Sequence, residues 1–356
     1  MKYFKGIEYF IENKRVFCGI DMHKNQWNLC YFCDGEVLEK LRISGDFINL
    51  LEHTKFYYGT AKAIHFVYEA GFSGFSLYRQ LLDSGYQCII TPPNRIPSYT
   101  DKVKTDKRDA TKLARYLASG LLKQVYVPPN SIEADRQLLR LRHGYQKKLT
   151  RVKNQIKSHL HLHGIKWSRT HGNKWTKRYI EWLENLHFTE LNLRFILDQY
   201  LIEYRFLRNQ IAELTKRIRN LSKSDSYRPH FERIVACKGI GLITAMTFLL
   251  ELHEMARFPS ANTLSSYLGL TPSQFSSGDN VRLGHITREG NSHIRRVLVE
   301  CAWTVIRHDP FLRNKYDRIK ARGTNGKKAI VAVARSLAVR LRRCLLDEVP
   351  YEIGIC

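Results

Sequence analysis

Leu193, Leu197, Tyr200, Tyr204, Leu207, Ile211, Leu214, Ile218 and Leu221 recur at alternating steps of four and three residues. That spacing keeps one apolar stripe in line along a helix packed on a partner, so the stretch from about Glu190 to Leu221 reads as a long helix with a heptad seam. Such a helix must cover its stripe with another helix of this chain or with a second copy, and the spacing leaves both open. A candidate partner within the chain lies upstream. Leu138, Leu141, Tyr145, Leu149, Val152 and Ile156 recur at steps of three or four, which predicts an amphipathic helix.

The polar face of that upstream helix is unusual. From Arg136 to Lys157 it carries Arg136, Arg140, Arg142, Lys147, Lys148, Arg151, Lys153 and Lys157 and no acid. A helix with this charge is costly to leave unpartnered, which points to nucleic-acid contact. The whole chain shares the bias: 58 Lys+Arg against 33 Asp+Glu give +25 over 356 residues. An excess of that size argues for DNA or RNA as partner. A membrane is the competing partner for a basic chain, but the longest apolar run, Leu242 to Leu250, is too short to span one. The N-terminal stretch, with Lys2, Lys5, Glu8 and Glu12, does not read as a signal peptide. Cys30 and Cys33 form a lone Cys-x-x-Cys with no second pair at zinc spacing, so they read as a reduced structural pair and the compartment as cytoplasmic, alongside the bacterial nucleoid. His159, His161 and His163 read as surface or phosphate-contacting side chains rather than metal ligands.

The first third has a different texture. Residues 16–22 read as a buried strand and Gln26 to Phe32 as a second. Asp34-Gly35 marks a hairpin into Val37 to Ile43. A helix near 47–55, a strand at 63–68, a helix at 75–82 and a strand at 87–90 follow, stopped by Pro92-Pro93. A meander followed by strand–helix alternation predicts an α/β domain with a mixed sheet. Asp21 ends the first strand and Glu69 a later one. Asp106 and Asp109 share one face of a further helix, among Lys102, Lys104, Lys107 and Arg108. Taken alone, the Asp106–Asp109 pair reads as a solvated helix start favoured by the dipole. Counted with Asp21 and Glu69 it makes a cluster of four carboxylates, which needs cations, and Mg²⁺ suits all-oxygen donors beside phosphates. The order of elements is the ribonuclease H-like layout used for metal-dependent phosphoryl transfer.

The last third is helical and basic. Lys238-Gly239-Ile240-Gly241 ahead of an apolar run suggests a helix-hairpin-helix, in which backbone amides reach a phosphate, although a tight interhelical turn would need the same glycines. Beyond it, Ser276-Ser277-Gly278 reads as a loop, followed by Arg282, Arg288, Gly290-Asn291, Arg295 and Arg296. Those cations could bind a phosphate and steady a pentacoordinate transition state.

Gly19-Ile20-Asp21-Met22-His23-Lys24, Tyr68-Glu69-Ala70-Gly71, Lys104 to Ala110, and the later Gly269-Leu270-Thr271-Pro272 with Ser277-Gly278 and Gly290-Asn291 together resemble the insertion-sequence transposases that have a RuvC-like domain with a D, E, D, D signature, relatives of the Piv-type invertases. The resemblance covers nearly all of the chain. It implies that Asp21, Glu69, Asp106 and Asp109 hold Mg²⁺ at the scissile phosphate. It also implies that Ser277, the serine directly before glycine, attacks that phosphate to give a covalent protein–DNA intermediate, with Ser276 as its neighbour. Strand exchange without free double-strand breaks follows, guided by a structured RNA that pairs with donor and target DNA. The expected division is 1–130, a RuvC-like catalytic domain; 131–228, the basic helix and coiled-coil region; and 229–356, the serine-bearing domain. Lys104, Lys107, Arg108, Arg140, Lys147, Lys148, Arg151, Lys153, Lys157, Lys238, Gly239, Gly241, Arg282, Arg288, Arg295 and Arg296 are the expected nucleic-acid contacts, and a homo-oligomer (dimer or tetramer) with a composite active site is the expected assembly. The alternatives are a junction nuclease of RuvC type that uses water, with Ser277 structural, and a non-catalytic nucleic-acid-binding protein.

Overall fold

The structure, a computed structural model, describes residues 10–96, 106–168, 172–277 and 280–354, with the side chains of 106–108 and 274–283 outside that description. The chain divides into two compact units, Met1–Val127 and Pro128–Cys356.

The first unit is built on a five-stranded sheet of order β3-β2-β1-β4-β5. Its strands are β1 (Arg15–Met22), β2 (Gln26–Cys33), β3 (Glu36–Ser44), β4 (Ala63–Glu69) and β5 (Gln87–Thr91). β1, β2 and β3 form the antiparallel meander, while β4 lies parallel to β1 and β5 parallel to β4. Asp34 and Gly35 both take positive φ, 47° and 88°, as a two-residue hairpin turn requires. Strand alternation sends Cys18, Ile20, Leu29, Tyr31, Phe66, Tyr68, Cys88 and Ile90 to one face, where they pack under α1 (Phe47–Tyr58) and α2 (Ser76–Asp83) through Leu50, Leu77 and Leu81. Cys30 and Cys33, being three apart on a strand, point to opposite faces and fall in different clusters, so the pair cannot share a metal.

The other face is covered by α3 (Asp106–Ala118). Ala110 and Ala114 pack there on Cys30 and Phe32. The helix backbone lies directly on β1: a Cβ built on Gly19 would stand 2.6 Å from the Ala114 nitrogen and overlap the Ala110 carbonyl oxygen. Small residues on both sides therefore set how closely α3 approaches the sheet.

In the second unit, α4 (Asn130–Leu162) and α6 (Leu191–Leu221) pack against each other. They run antiparallel, since Arg142 Nε donates to Thr215 Oγ1 at 2.8 Å while His159 Nε2 meets the Leu193 carbonyl at 3.1 Å. The heptad stripe is thus covered within the chain: Leu149, Val152, Ile156 and Leu160 face Leu197, Leu201, Tyr204 and Leu207, with α5 (Lys177–Glu184) adding Tyr179 and Leu183. His159 departs from its expected surface role. It is buried because its ring ties α4 to the first turn of α6.

Leu139 and Ile218, at the other end of the same pair, enter the core of the C-terminal helices. These are α7 (Arg228–Val235), α8 (Leu242–Leu252), α9 (Ala261–Tyr267), α10 (Ser292–Val305), α11 (Pro310–Ala321) and α12 (Gly326–Leu346). The serine stretch, expected as a loop, is instead a two-stranded antiparallel hairpin of β6 (Pro272–Ser277) and β7 (Asn280–Ile286). Its neck is tight: Gly269 and Gly290 both have positive φ, and a Cβ on either would collide with the backbone of the opposite side. Below the neck, Asn291 caps α10 by accepting from the His293 and Ile294 amides, and its Nδ2 donates to Glu251 at 2.6 Å. Glu251, 1% exposed on α8, also receives both Arg140 nitrogens at 2.8 Å, with Arg136 at 3.6 Å. The basic helix therefore does meet an acid, brought to it by α8. No helix among the described residues is long and apolar enough to cross a membrane, and the described cysteines are free and buried.

Two predictions follow from these anchors. Gly19→Ala should lower stability by about 1–3 kcal/mol in chemical denaturation, because the backbone atoms it meets can yield only if α3 moves. Burial alone would raise the Glu251 carboxyl, but Arg140, Asn291 and Arg136 together hold it below its usual range. Its contribution is thus fully present above the unfolded carboxyl pKa near ~4.3 and is lost as pH falls through the lower folded value. Glu251→Ala should cost about 3 kcal/mol at neutral pH, and Glu251→Gln should flatten the acid limb of stability against pH.

Candidate active site

β1 and β4 are parallel neighbours with Ile20 opposite Tyr68, so Asp21 and Glu69 are the next residues on adjacent strands. Both project to the face that α3 covers, the face of Gly19 and Cys30. The Asp21 side chain is 23% exposed with His23 Nε2 at 3.3 Å from its Oδ2, and Glu69 is exposed. Asp106 begins α3 and Asp109 is half-buried in its first turn, where the helix dipole favours negative charge. The structure thus brings Asp21 and Glu69 together and packs the helix carrying Asp109 on the same sheet face. Among the described residues no group of three His, Cys, Asp or Glu side chains is drawn close enough to hold a metal ion. The Asp106, Lys107 and Arg108 side chains, and Lys104 entirely, lie outside the described residues. The donor set is all carboxylate oxygen, which suits a hard divalent cation such as Mg²⁺ or Mn²⁺.

On the hairpin, Ser277 pairs with Asn280 at the distal end of β6, and Ser276 precedes it. Their hydroxyls, and the Arg282 side chain, lie outside the described residues. Arg288 adopts φ 56° just before the neck, and Arg295 donates to the Leu268 carbonyl at 3.1 Å.

The basic residues of α4 divide into two groups. Arg140 is engaged with Glu251. Lys147, Lys148, Arg151 and Lys157 are exposed, and Lys153 is half-buried with its ammonium 4.9 Å from the Trp175 ring centroid. Lys238 is exposed, while Gly239 is required by packing, since its φ of 109° and the nearby Thr304 and Val305 leave no room for a side chain. Gly241 stands at the N-cap of α8 with open space around it.

The sequence reading missed a cleft of about 260 Å³ between α4, α8 and α10, lined by Arg142, His143, Thr247, His293 and Arg296. The Arg296 guanidinium donates to His143 Nδ1 at 2.7 Å, and His143 and His293 meet edge to face. Burial, then Arg296 and Lys147, push His143 down to about 4. Glu251 and Glu300 line the same cleft, Glu251 engaged by Arg140 and Glu300 lying 3.8 Å from Arg296. No spacing rule links His143 to His293, so only the fold could reveal it.

Comparison with known proteins identifies the family. The profile of the transposase IS116/IS110/IS902 family matches residues 232–317, and a DEDD transposase profile of the IS110 type matches residues 18–165. A putative transposase of Sinorhizobium fredii is 33% identical over 310 residues, covering 77% of this chain and 73% of the relative. The transposase for insertion sequence element IS1533 of Leptospira borgpetersenii is 29% identical over 341 residues, covering 93% and 95%. That of element IS1111A of Coxiella burnetii is 23% identical over 353 residues, covering 94% and 91%. The acid-ended strands fall within the first profile match in chain order and the serine hairpin within the second, and the chain belongs to the IS110/IS116 family of insertion-sequence transposases.

Proposed function

We propose that this transposase cleaves and rejoins donor and target DNA by phosphoryl transfer, with Asp21, Glu69, Asp106 and Asp109 holding Mg²⁺ and Ser277 as nucleophile. The observation that carries the reading is the side-by-side placement of Asp21 and Glu69 at the C-terminal ends of the parallel strands β1 and β4, on the sheet face covered by the helix whose first turn carries Asp106 and Asp109. When bound, Mg²⁺ would neutralise charge on the phosphate and stabilise the leaving oxygen. The Ser277 oxygen bonds to phosphorus, one sugar–phosphate ester bond breaks, and the proton lost by serine is matched by the one gained by the released sugar hydroxyl. A phosphodiester is exchanged for a phosphodiester, so rejoining needs no external energy. Ser276 is the neighbour against which the assignment is checked.

A structured guide RNA is the second polyanion we assign. Its support is the exposed Lys147, Lys148, Arg151 and Lys157 along α4, with Lys153 beside Trp175, in a chain of net charge +25. Lys104, Lys107, Arg108, Lys238, Gly241, Arg282, Arg288, Arg295 and Arg296 complete the proposed nucleic-acid contacts, with Arg140 and Gly239 acting through the structure they hold. The homo-oligomer is supported by Phe195, Ile202 and Phe206, which α6 leaves exposed at 62%, 55% and 55%.

The test is a denaturing gel of labelled DNA incubated with Mg²⁺, the protein and its co-purified RNA. A protein–DNA adduct should form and should vanish with Ser277→Ala but persist with Ser276→Ala. Asp106→Asn or Asp109→Asn should lower its rate at least ~100-fold, the scale at which a lost charge-stabilising group acts. Cleavage without an adduct that survives Ser277→Ala would instead indicate a water nucleophile, and binding with no cleavage at all a non-catalytic protein.

A further inference from the structure

Antiparallel and parallel registers together put one polar row across the sheet. Asn28 on β2 is the cross-strand partner of Asp21, and Thr91 on β5 is the partner of Glu69. With Asp21 and Glu69 adjacent, the order across β2, β1, β4 and β5 is Asn28, Asp21, Glu69, Thr91, all on the face beneath α3. Asn28 is 4% exposed and Thr91 0%. Among the described residues the Asn28 Nδ2 and the Thr91 Oγ1 have no hydrogen-bond partner. Buried polar groups are nearly always satisfied, and one left unsatisfied calls for a reason. Two of them, flanking both carboxylates at the ends of one row, share a reason. The other cross-strand neighbour of Asn28 is Arg42, a cation with no acceptor to offer.

We propose that Asn28 and Thr91 are positioning residues for the divalent-cation site. The Asn28 amide donates to the Asp21 carboxylate and the Thr91 hydroxyl to the Glu69 carboxylate, each fixing the oxygen turned away from the ion and orienting the other towards it. Cross-strand partners stand with Cβ atoms about 4.5–5.5 Å apart, within reach of such bonds after a rotamer change. Donors behind metal-ligating carboxylates act in this way, fixing ligand orientation and raising affinity. Among the described residues neither donor has an acceptor as the side chains stand, so an apolar replacement of similar size costs the fold little. This inference rests on the metal-site reading above, and the test separates the two.

The measurement is Mn²⁺ binding to the full chain by titration calorimetry, with thermal melts in excess chelator. Asn28→Leu and the near-isosteric Thr91→Val should each weaken Mn²⁺ binding about 10- to 100-fold, while the melting temperature without metal stays level or rises. A merely structural role would lower that melting temperature and leave affinity alone. Affinity within twofold of wild type in both variants, with binding abolished by Asp21→Asn, would overturn the positioning role and keep the metal site. Binding that survives Asp21→Asn would overturn the metal site itself. Should Asn28→Leu not fold, Thr91→Val decides the matter by the same readouts.

Discussion

A missing side chain governs the N-terminal unit. Because Gly19 has no Cβ, the backbone of α3 lies against β1, with Ala110 and Ala114 in contact with Cys30 and Phe32. Close packing of this kind leaves no slack, since neither backbone can yield without moving a whole element. Two residues beyond Gly19 the strand carries Asp21 near its end, and one residue before Ala110 the helix carries Asp109. The glycine and the alanines thus fix how closely the helix that carries Asp109 lies on the sheet face of Asp21 and Glu69. The opposite face of the same sheet carries the bulk of the apolar core and positions nothing chemical.

In the second unit a buried charge ties together helices that an apolar core packs. Glu251 gathers Arg140, Arg136 and Asn291, so that α4, α8 and the first turn of α10 share one buried carboxylate. The serine hairpin springs from that point, through a neck in which two glycines let the strands' approaches cross. The family-like Gly-Leu-x-Pro and Gly-Asn segments are therefore architectural: they build the neck of the hairpin and the cap of α10. The same buried carboxylate lines the cleft around His143 and His293.

Much of this was legible in the sequence because it depended on local rules. Alternation and the Asp34-Gly35 turn gave the meander, strand-end acids gave Asp21 and Glu69, and the heptad stripe gave α6 to within a residue. The stripe could not say which partner covers it, since a cis and a trans helix offer the same apolar surface; that required the antiparallel fit of α4. Long-range placement stayed hidden. Glu251 reads as one more residue of an apolar helix until the fold brings two arginines to it. Asn28 and Thr91 acquire meaning only from strand register across the sheet. Ala110, Ala114 and Ala118, four apart opposite a glycine, were the one overlooked pattern that spacing could have supplied.

The central claim is that the acid-ended strands and the α3 acids form one metal site. The most direct test is a crystal structure of the full chain soaked in Mn²⁺ and read by anomalous scattering. The account predicts a peak in contact with the Asp21 carboxylate and with the acid pair of α3, with the Asn28 amide turned to the outer oxygen of Asp21. A peak elsewhere, or acids neutralised by neighbouring cations with no ion between them, would contradict it.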